Sequence, residues 1–364
     1  MAGPGPRALP PGEPGPLTAP GPRGTQRPSA VLHRLLEWGI VERAAVAGGD
    51  VELTRLPGRH GALLVEVSGG PQLVVKVPSD AVARAQIARE AAICRALAAD
   101  ATRSALCPAV VRHDPASGVL VTARVAADAR GADALLRPAT ARWLGRSLAL
   151  LHGGPPPPPA DAGAPPWLAT IDAPPVALLC DLAPSAIDVV RVVQGDAALA
   201  AGVAAARDAG LALALCHMDL RTDNLVLGPE GAEGASRIVD WESARRGDPA
   251  WDLGWALAAY LSAWLDSVPA DDPGAASEIA PRAERPLSVV RPLAAMTWGA
   301  YRAGREPPGV AAVTRCAAVR LLAAAMERHD AAGGPTASGR LHLQVAARMM
   351  ERPEGAARDL MGIP

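Results

Sequence analysis

The stretch CHMDLRTDNLVLGPEGAEGASRIVDWE, residues 216 to 242, constrains the fold more than any other part of the chain. Two short strand-like runs, Leu225 to Leu227 and Arg237 to Val239, flank a segment carrying Gly228, Gly231 and Gly234, and together they read as an antiparallel hairpin. In such a hairpin the start of one strand neighbours the end of the other, so Asn224 and Asp240 are expected side by side. An amide and a carboxylate oxygen in that position suit a hard Mg²⁺ ion, which rarely takes a full protein cage and leaves room for phosphate oxygens. Asp219 stands five residues before Asn224 and is placed to accept a proton from an attacking hydroxyl.

A second feature points the same way. The chain has 36 lysines and arginines, and Lys76 is the only lysine among them. It lies in QLVVKVP, an apolar β-branched run that reads as a largely buried strand. Lysine is a compact point charge where arginine is a broad planar fork, so the two are not equivalent against a phosphate in a tight groove. Burying an ammonium unpaired costs on the order of several kcal/mol, which calls for an anionic partner. Glu90, on the next expected helix, is the natural one.

These elements follow a fixed order: lysine strand, glutamate helix, HxDxxxxN, hairpin, DWE. With that order the chain resembles the aminoglycoside phosphotransferase and choline kinase superfamily, relatives of protein kinases, over about residues 50 to 265. The resemblance implies a two-lobed α+β fold, with a small antiparallel-sheet lobe carrying one main helix and a larger helical lobe. It implies ATP as phosphoryl donor, Asp219 as catalytic aspartate, Asn224 and Asp240 as Mg²⁺ ligands, Lys76 on the nucleotide phosphates and Glu90 as its ion-pair partner. Arg221 sits where related kinases carry a lysine facing the γ-phosphate, a solvated loop arginine being the other reading. The segment GDPAWDLG looks like the family's GDPxxDL, which gives Asp252 a bracing role through His217 or the loop backbone. Thr122 to Val125 falls where the lobes connect and the adenine meets backbone. Two departures stand out: Met218 replaces a glycine common between the His and the Asp, and the phosphate loop is reduced to Gly58 and Gly61.

Proline and glycine mark the organisation. Residues 1–28 read as a flexible Pro/Gly-rich tail, 29–125 as the sheet-bearing lobe and 126–364 as the helical lobe, with a Pro-rich spacer at 153–166. Strands are expected at about 51–56, 62–68, 72–77, 109–113 and 118–124, and a helix at about 80–99 that buries Ile87, Ala91, Cys94 and Leu97. Helices are expected at 184–192, 195–208, 250–265, 291–303, 310–329 and 336–351. His152 closes an amphipathic helix opened by Pro138 and reads as packing. A net charge of −1 gives no reason to expect a nucleic-acid partner. No apolar run reaches the ~18 residues of a membrane span, and five cysteines without metal or disulfide spacing suit the cytoplasm.

The acceptor is less constrained. A polycationic aminoglycoside needs acidic side chains, for which Glu242, Asp266, Asp271 and Asp272 are candidates. A narrower resemblance, carried by VVKVPSD, CPAVVRHDPASGVLV, VVQGDAAL and DWESARRGDPAWDLGWALAAYLSAWLDSVP, is to phosphotransferase-type proteins encoded beside lanthipeptide and thioamide-peptide biosynthesis genes. It implies phosphorylation of serine or threonine in a precursor peptide, with a lyase as partner, and an open groove that Trp251, Trp255, Tyr260 and Trp264 either line or, as core residues, lie beneath. A catalytically silent pseudokinase or peptide-binding scaffold is the alternative of another class.

Overall fold

The computed structural model describes residues 28–56, 61–126, 132–156, 166–208, 213–229, 233–269 and 282–364. Gly58, Asp271, Asp272, the expected tail up to residue 27 and most of the Pro-rich spacer lie outside them.

The first lobe opens with two helices, α1 (Pro28–Glu37) and α2 (Arg43–Gly48), followed by strands β1 (Val51–Arg55), β2 (Leu63–Val67) and β3 (Gln72–Lys76). After helix α3 (Ala81–Ala98) come β4 (Val110–Asp114) and β5 (Val119–Ala123). The five strands form one antiparallel sheet in the order β1-β2-β3-β5-β4. The side-chain period of two decides what each face does. Leu73 and Val75 point to one side, where they pack with Val65, Val121 and the α1 residues Val31 and Leu35. Lys76 therefore points to the other side, as does Leu120, its partner across the ladder. Leu120 packs on Ile87 and Ala91 of α3, so the face that carries Lys76 is the face α3 covers. Asp80 caps α3 by accepting the Ala83 N–H at 2.8 Å, which fixes the start of the helix and hence the height of Glu90 above the sheet.

Thr122 requires a correction. It lies inside β5, flanked by Val74 of β3 and Val110 of β4, and not in the connection between lobes. The β-branched run VLVT simply continues the ladder, and the chain leaves the sheet only after Ala123, with Val125 in the segment that follows.

The second lobe is helical: α4 (Ala132–Leu135), α5 (Pro138–Gly153), α6 (Val176–Asp181), α7 (Pro184–Gly195), α8 (Ala197–Asp208), α9 (Pro249–Leu265), α10 (Leu287–Gly304), α11 (Val310–Ala331), α12 (Ala337–Glu351) and α13 (Pro353–Ala356). Short strands β6 (Ala214–Cys216), β7 (Leu225–Val226), β8 (Arg237–Ile238) and β9 (Arg245–Gly247) form two ribbons, β6-β9 and β7-β8. Helix α9 is apolar all round and almost wholly buried, as a helix at the centre of a lobe must be. Trp251, Tyr260 and Trp264 are core residues within it, whereas Trp255, also buried, borders two cavities. Helix α10 starts earlier than expected and takes Pro292 inside; the carbonyl that proline leaves without a donor is in the exposed first turn, where water serves it.

Gly145 sets the closest approach of α5 to α10, since a Cβ there would stand 2.2 Å from the Thr297 carbonyl oxygen and 2.9 Å from the Tyr301 nitrogen. Both obstacles are backbone and cannot swing aside. Gly145→Ala is expected to destabilise the fold by about 2 kcal/mol or more, read as a lower denaturant midpoint at unchanged slope. No single described helix is long and apolar enough to cross a membrane; α7 and α8 pass together by length and composition but are bent by 98°.

Candidate active site

The loop between β6 and β7 carries His217, Asp219, Arg221 and Asn224, and it is held from behind by one carboxylate. Asp252, in the first turn of α9, accepts the backbone N–H of His217 at 2.6 Å and of Met218 at 2.8 Å. Its Oδ2 also lies 3.2 Å from His152 Nε2, whose Nδ1 meets the Tyr301 hydroxyl at 3.0 Å. Burial alone would raise the Asp252 pKa, but the His152 hydrogen bond and charge, with the His217 contacts, outweigh it and hold the carboxyl below the usual range. His152 closes α5 as expected, and its contact with Asp252, a hundred positions away, was not legible in the sequence.

His217 turns inward. Its Nε2 lies 3.0 Å from the Val239 carbonyl, its ring stands edge-on to Trp241 at 4.9 Å, and its Nδ1 lies 3.3 Å from the Asp219 backbone nitrogen. Trp241 is fully buried and donates Nε1–H to the Ile238 carbonyl at 2.8 Å, which pins the turn after the hairpin. The hairpin pairs Leu225 with Ile238 and Val226 with Arg237. The Val239 N–H then reaches the Asn224 carbonyl at 2.9 Å, so Asn224 and Asp240 close the same end of the ribbon.

Met218 and Asp240 are the two described non-glycine residues with positive φ, at 65° and 67°. Left-handed backbone costs a non-glycine residue about 1–2 kcal/mol, and both examples fall in this site. Met218 offsets the cost by burial: its Cε would lie 1.9 Å from a Cβ placed at Gly247 on β9, so the long side chain fills the space that glycine leaves.

The two lobes meet at Lys76. Its ammonium lies 2.6 Å from Glu90 Oε2 and 2.5 Å from Asp240 Oδ1, the latter 164 positions away in the chain. Glu90 is 2% exposed, so this is a buried pair. Burial pulls the lysine pKa down, yet Glu90 and Asp240 more than reverse that and keep the proton on. The resemblance already brings Lys76 and Asp240 to the same phosphates; the direct ion pair between them is what the structure adds, and no local signal could have given it.

Asp219 receives the side chain of Asn224: Nδ2–H donates to the Asp219 carbonyl at 2.7 Å and to Oδ2 at 3.3 Å. Burial raises the Asp219 pKa, with the charge of Arg221 among the influences that pull the other way. Arg221 reaches Glu327 and Asp223, each at 3.3 Å. Asp219, Asp240, Glu242, Arg221 and Met218 all border a cavity of about 470 Å³, which Trp167, Leu168 and Met326 close on its apolar side. Asp266 lies on a neighbouring cavity, where it pairs with Arg328 and accepts from Ser338 at 2.9 Å. Gly61 has a positive φ of 48° with open space around it, a backbone fit for a turn.

The donor set at the ribbon end is oxygen only. Carboxylate oxygens of Glu90, Asp240 and Glu242 lie within 4.8 Å of one another, with the Lys76 ammonium on the first two; oxygen donors of this kind are those a hard divalent cation selects.

The family model described as "Phosphotransferase enzyme family" matches residues 52–287. Among solved structures, a choline/ethanolamine kinase family protein from Mesorhizobium loti is 23% identical with a TM-score of 0.54, covering 91% of this chain and 99% of that one. An ethanolamine kinase from Plasmodium vivax is 11% identical with a TM-score of 0.55, covering 87% and 88% respectively. LicA in complex with AMP is 13% identical with a TM-score of 0.50, covering 88% and 97%. These likenesses show the fold. No curated protein sequence matches the chain.

Proposed function

Because the chain belongs to the phosphotransferase enzyme family, we propose that it moves the γ-phosphoryl group of ATP onto a hydroxyl group of a small molecule held in the cavity beside Asp219. One observation carries the reading: the lone lysine, paired with Glu90, reaches across the cleft to Asp240, at the end of the ribbon where Asn224 holds Asp219. Phosphoryl transfer asks the protein mainly for positioning and charge, and these five residues supply both.

In this scheme Lys76 neutralises the donor phosphates, and Glu90 fixes where its ammonium stands. Asp219 orients the acceptor hydroxyl and takes its proton, while the Asn224 amide fixes the carboxylate that does so. Asp252 keeps the loop in register through two backbone N–H groups. Asn224 and Asp240 would hold Mg²⁺, which when bound neutralises phosphate charge. Gly61, and Gly58 outside the described residues, are assigned to the phosphate loop. The backbone after Ala123, with Val125, takes the adenine in place of Thr122.

The cavity's volume lies within the ~300–1,000 Å³ range of small-molecule sites, and this favours a small acceptor over the precursor peptide; the partner lyase belongs to the peptide reading. The cavity wall carries both signs, with Arg221, Arg245 and Arg320 beside Asp219, Asp240, Glu242, Glu327 and Asp330, so its charge alone does not select a polycationic aminoglycoside. A silent scaffold has no use for a buried carboxylate of raised pKa beside an open cavity. Dependence on ATP and five free cysteines support a cytoplasmic location.

Incubation with ATP, Mg²⁺ and a panel of alcohols, sugars and a serine-containing peptide tests the proposal, with a phosphate mass increment on a small alcohol as the expected result. Transfer confined to the peptide would reverse the choice of acceptor. The pH profile gives a separate check. Protonated Asp219 cannot accept the hydroxyl proton, so kcat/KM is expected to fall about tenfold per unit on the acid side. Because burial raises this pKa, the fall begins above the ordinary aspartate range.

A further inference from the structure

One wall of the cavity carries a cation that the phosphotransfer scheme leaves unused. Arg245 opens β9 and pairs across the ribbon with Cys216, the residue immediately before the His217–Asn224 loop, so its backbone lies beside that of the loop. The side chain is half-buried and borders the same cavity as Asp219. Among the described residues it forms no ion pair, and its buried Nε has no hydrogen-bond partner. Nε itself is enclosed by protein; what makes the guanidinium available to an anion is its place on the cavity wall without an ion pair among the described residues.

The surroundings reinforce this. Burial, and then the like charge of Arg89 on α3, hold the Arg245 guanidinium below its usual pKa, which is the setting an anion would relieve. Arg320, on the same cavity, binds Glu327 through Nη2 and stacks on Trp255, while its buried Nη1 has no partner among the described residues. The wall carboxylates are partly committed: Lys76 holds Asp240, and Arg221 and Arg320 share Glu327. Asp219, Glu242 and Asp330 add further negative charge to the wall, and they set the limit on how much anionic charge the cavity accepts.

We propose that the acceptor is an alcohol bearing one carboxylate, which docks on Arg245 while its hydroxyl faces Asp219. A guanidinium engages a carboxylate through two parallel N–H bonds, and this fixes the rest of the molecule in direction as well as place. The proposal rests on the phosphotransfer reading and names the substrate class of the same site. The reaction balances simply: the alcohol oxygen forms the bond to γ-phosphorus, the bond from γ-phosphorus to the bridging oxygen breaks, ADP leaves, and the hydroxyl proton passes to Asp219. The carboxylate takes no part beyond binding.

The test uses matched acceptors that differ only at the anionic group: glycerate against glycerol, and N-acetylserine against N-acetylserinamide. Each is assayed with the full-length protein and Mg²⁺-ATP. The expected result is a preference of about 10- to 100-fold in kcat/KM for the carboxylate in each pair, the scale of a charged hydrogen bond. Arg245→Gln is expected to collapse that ratio, and Arg245→Lys to restore part of it. The ratio is taken within one preparation, so loss of folded protein cancels. Equal use of both members by the wild-type protein overturns the proposal and leaves phosphotransfer standing, as does a ratio unchanged in Arg245→Gln. Absence of transfer to every acceptor, with no Mg²⁺-dependent release of ADP, overturns the phosphotransfer reading and this proposal with it.

Discussion

Replacing Asp219 with asparagine is expected to lower kcat by about 10³-fold, within the ~10²–10⁴ range that a positioned general base contributes, while the protein stays folded. Asparagine has nearly the same shape and keeps an oxygen to accept from Asn224 Nδ2, and the loop backbone is held independently by Asp252. Stability should hold or rise. Burial raises the Asp219 pKa in the folded state. A carboxyl shifted upward opposes folding once pH exceeds its unfolded value, and the opposition is relieved as pH falls. At neutral pH the wild-type site therefore carries a charge that its surroundings disfavour, and the amide removes it. Loss of turnover with an unchanged or higher melting temperature is the signature of a group retained for chemistry at a cost in stability. Near wild-type turnover would remove Asp219 from the reaction.

The second large effect is at Lys76. Lys76→Ala leaves Glu90, 2% exposed, with Asp240 as its neighbour and no cation between them. Removing one partner of a buried pair costs about 3–5 kcal/mol, and partial exposure of Asp240 puts this case at about 3 kcal/mol. Activity should fall further than stability suggests, with kcat/KM for ATP down at least about 100-fold, because the donor phosphates lose the ammonium the scheme places on them. Lys76→Arg separates the two roles. It keeps a charge for Glu90 and recovers part of the stability, but a planar fork does not fit a site built for an ammonium 2.6 Å and 2.5 Å from two carboxylates. If the arginine variant matched wild type in kcat/KM, the singular lysine would have no functional explanation.

Local periodicity carried much of the fold. The five strands of the first lobe fall within a residue or two of where alternation and turn residues put them, and α3 buries Ile87, Ala91, Cys94 and Leu97 as its helical spacing implies. The hairpin that joins Asn224 to Asp240 was legible because its two strands are close in sequence and the pairing follows from the turn. Lys76 and Glu90 could be matched because a strand and the next helix leave few other anions in reach.

Long-range contacts were a different matter. Nothing local says that His152 will meet Asp252, or that Lys76 will touch Asp240, since both depend on how whole lobes dock. Thr122 was expected both in the 118–124 strand and in the connecting segment, and only the first holds: a strand and an extended connection look alike in sequence, and the neighbouring strands decide where the ladder stops. Arg245 escaped notice because arginine is the commonplace cation of this chain. What distinguishes it is the partner it lacks among the described residues, and that is visible only in three dimensions.

The account's central claim is that the Lys76–Asp240 crossing and the Asp219 loop together form a phosphoryl-transfer site. ATP labelled in its γ-phosphate, incubated with the purified protein, Mg²⁺ and a panel of alcohols that includes glycerate and glycerol, tests it most directly by showing where the label goes. The account predicts label on an alcohol oxygen of the acceptor, in step with ADP release. Label left in ATP, or released only as free phosphate with every alcohol offered, would contradict it.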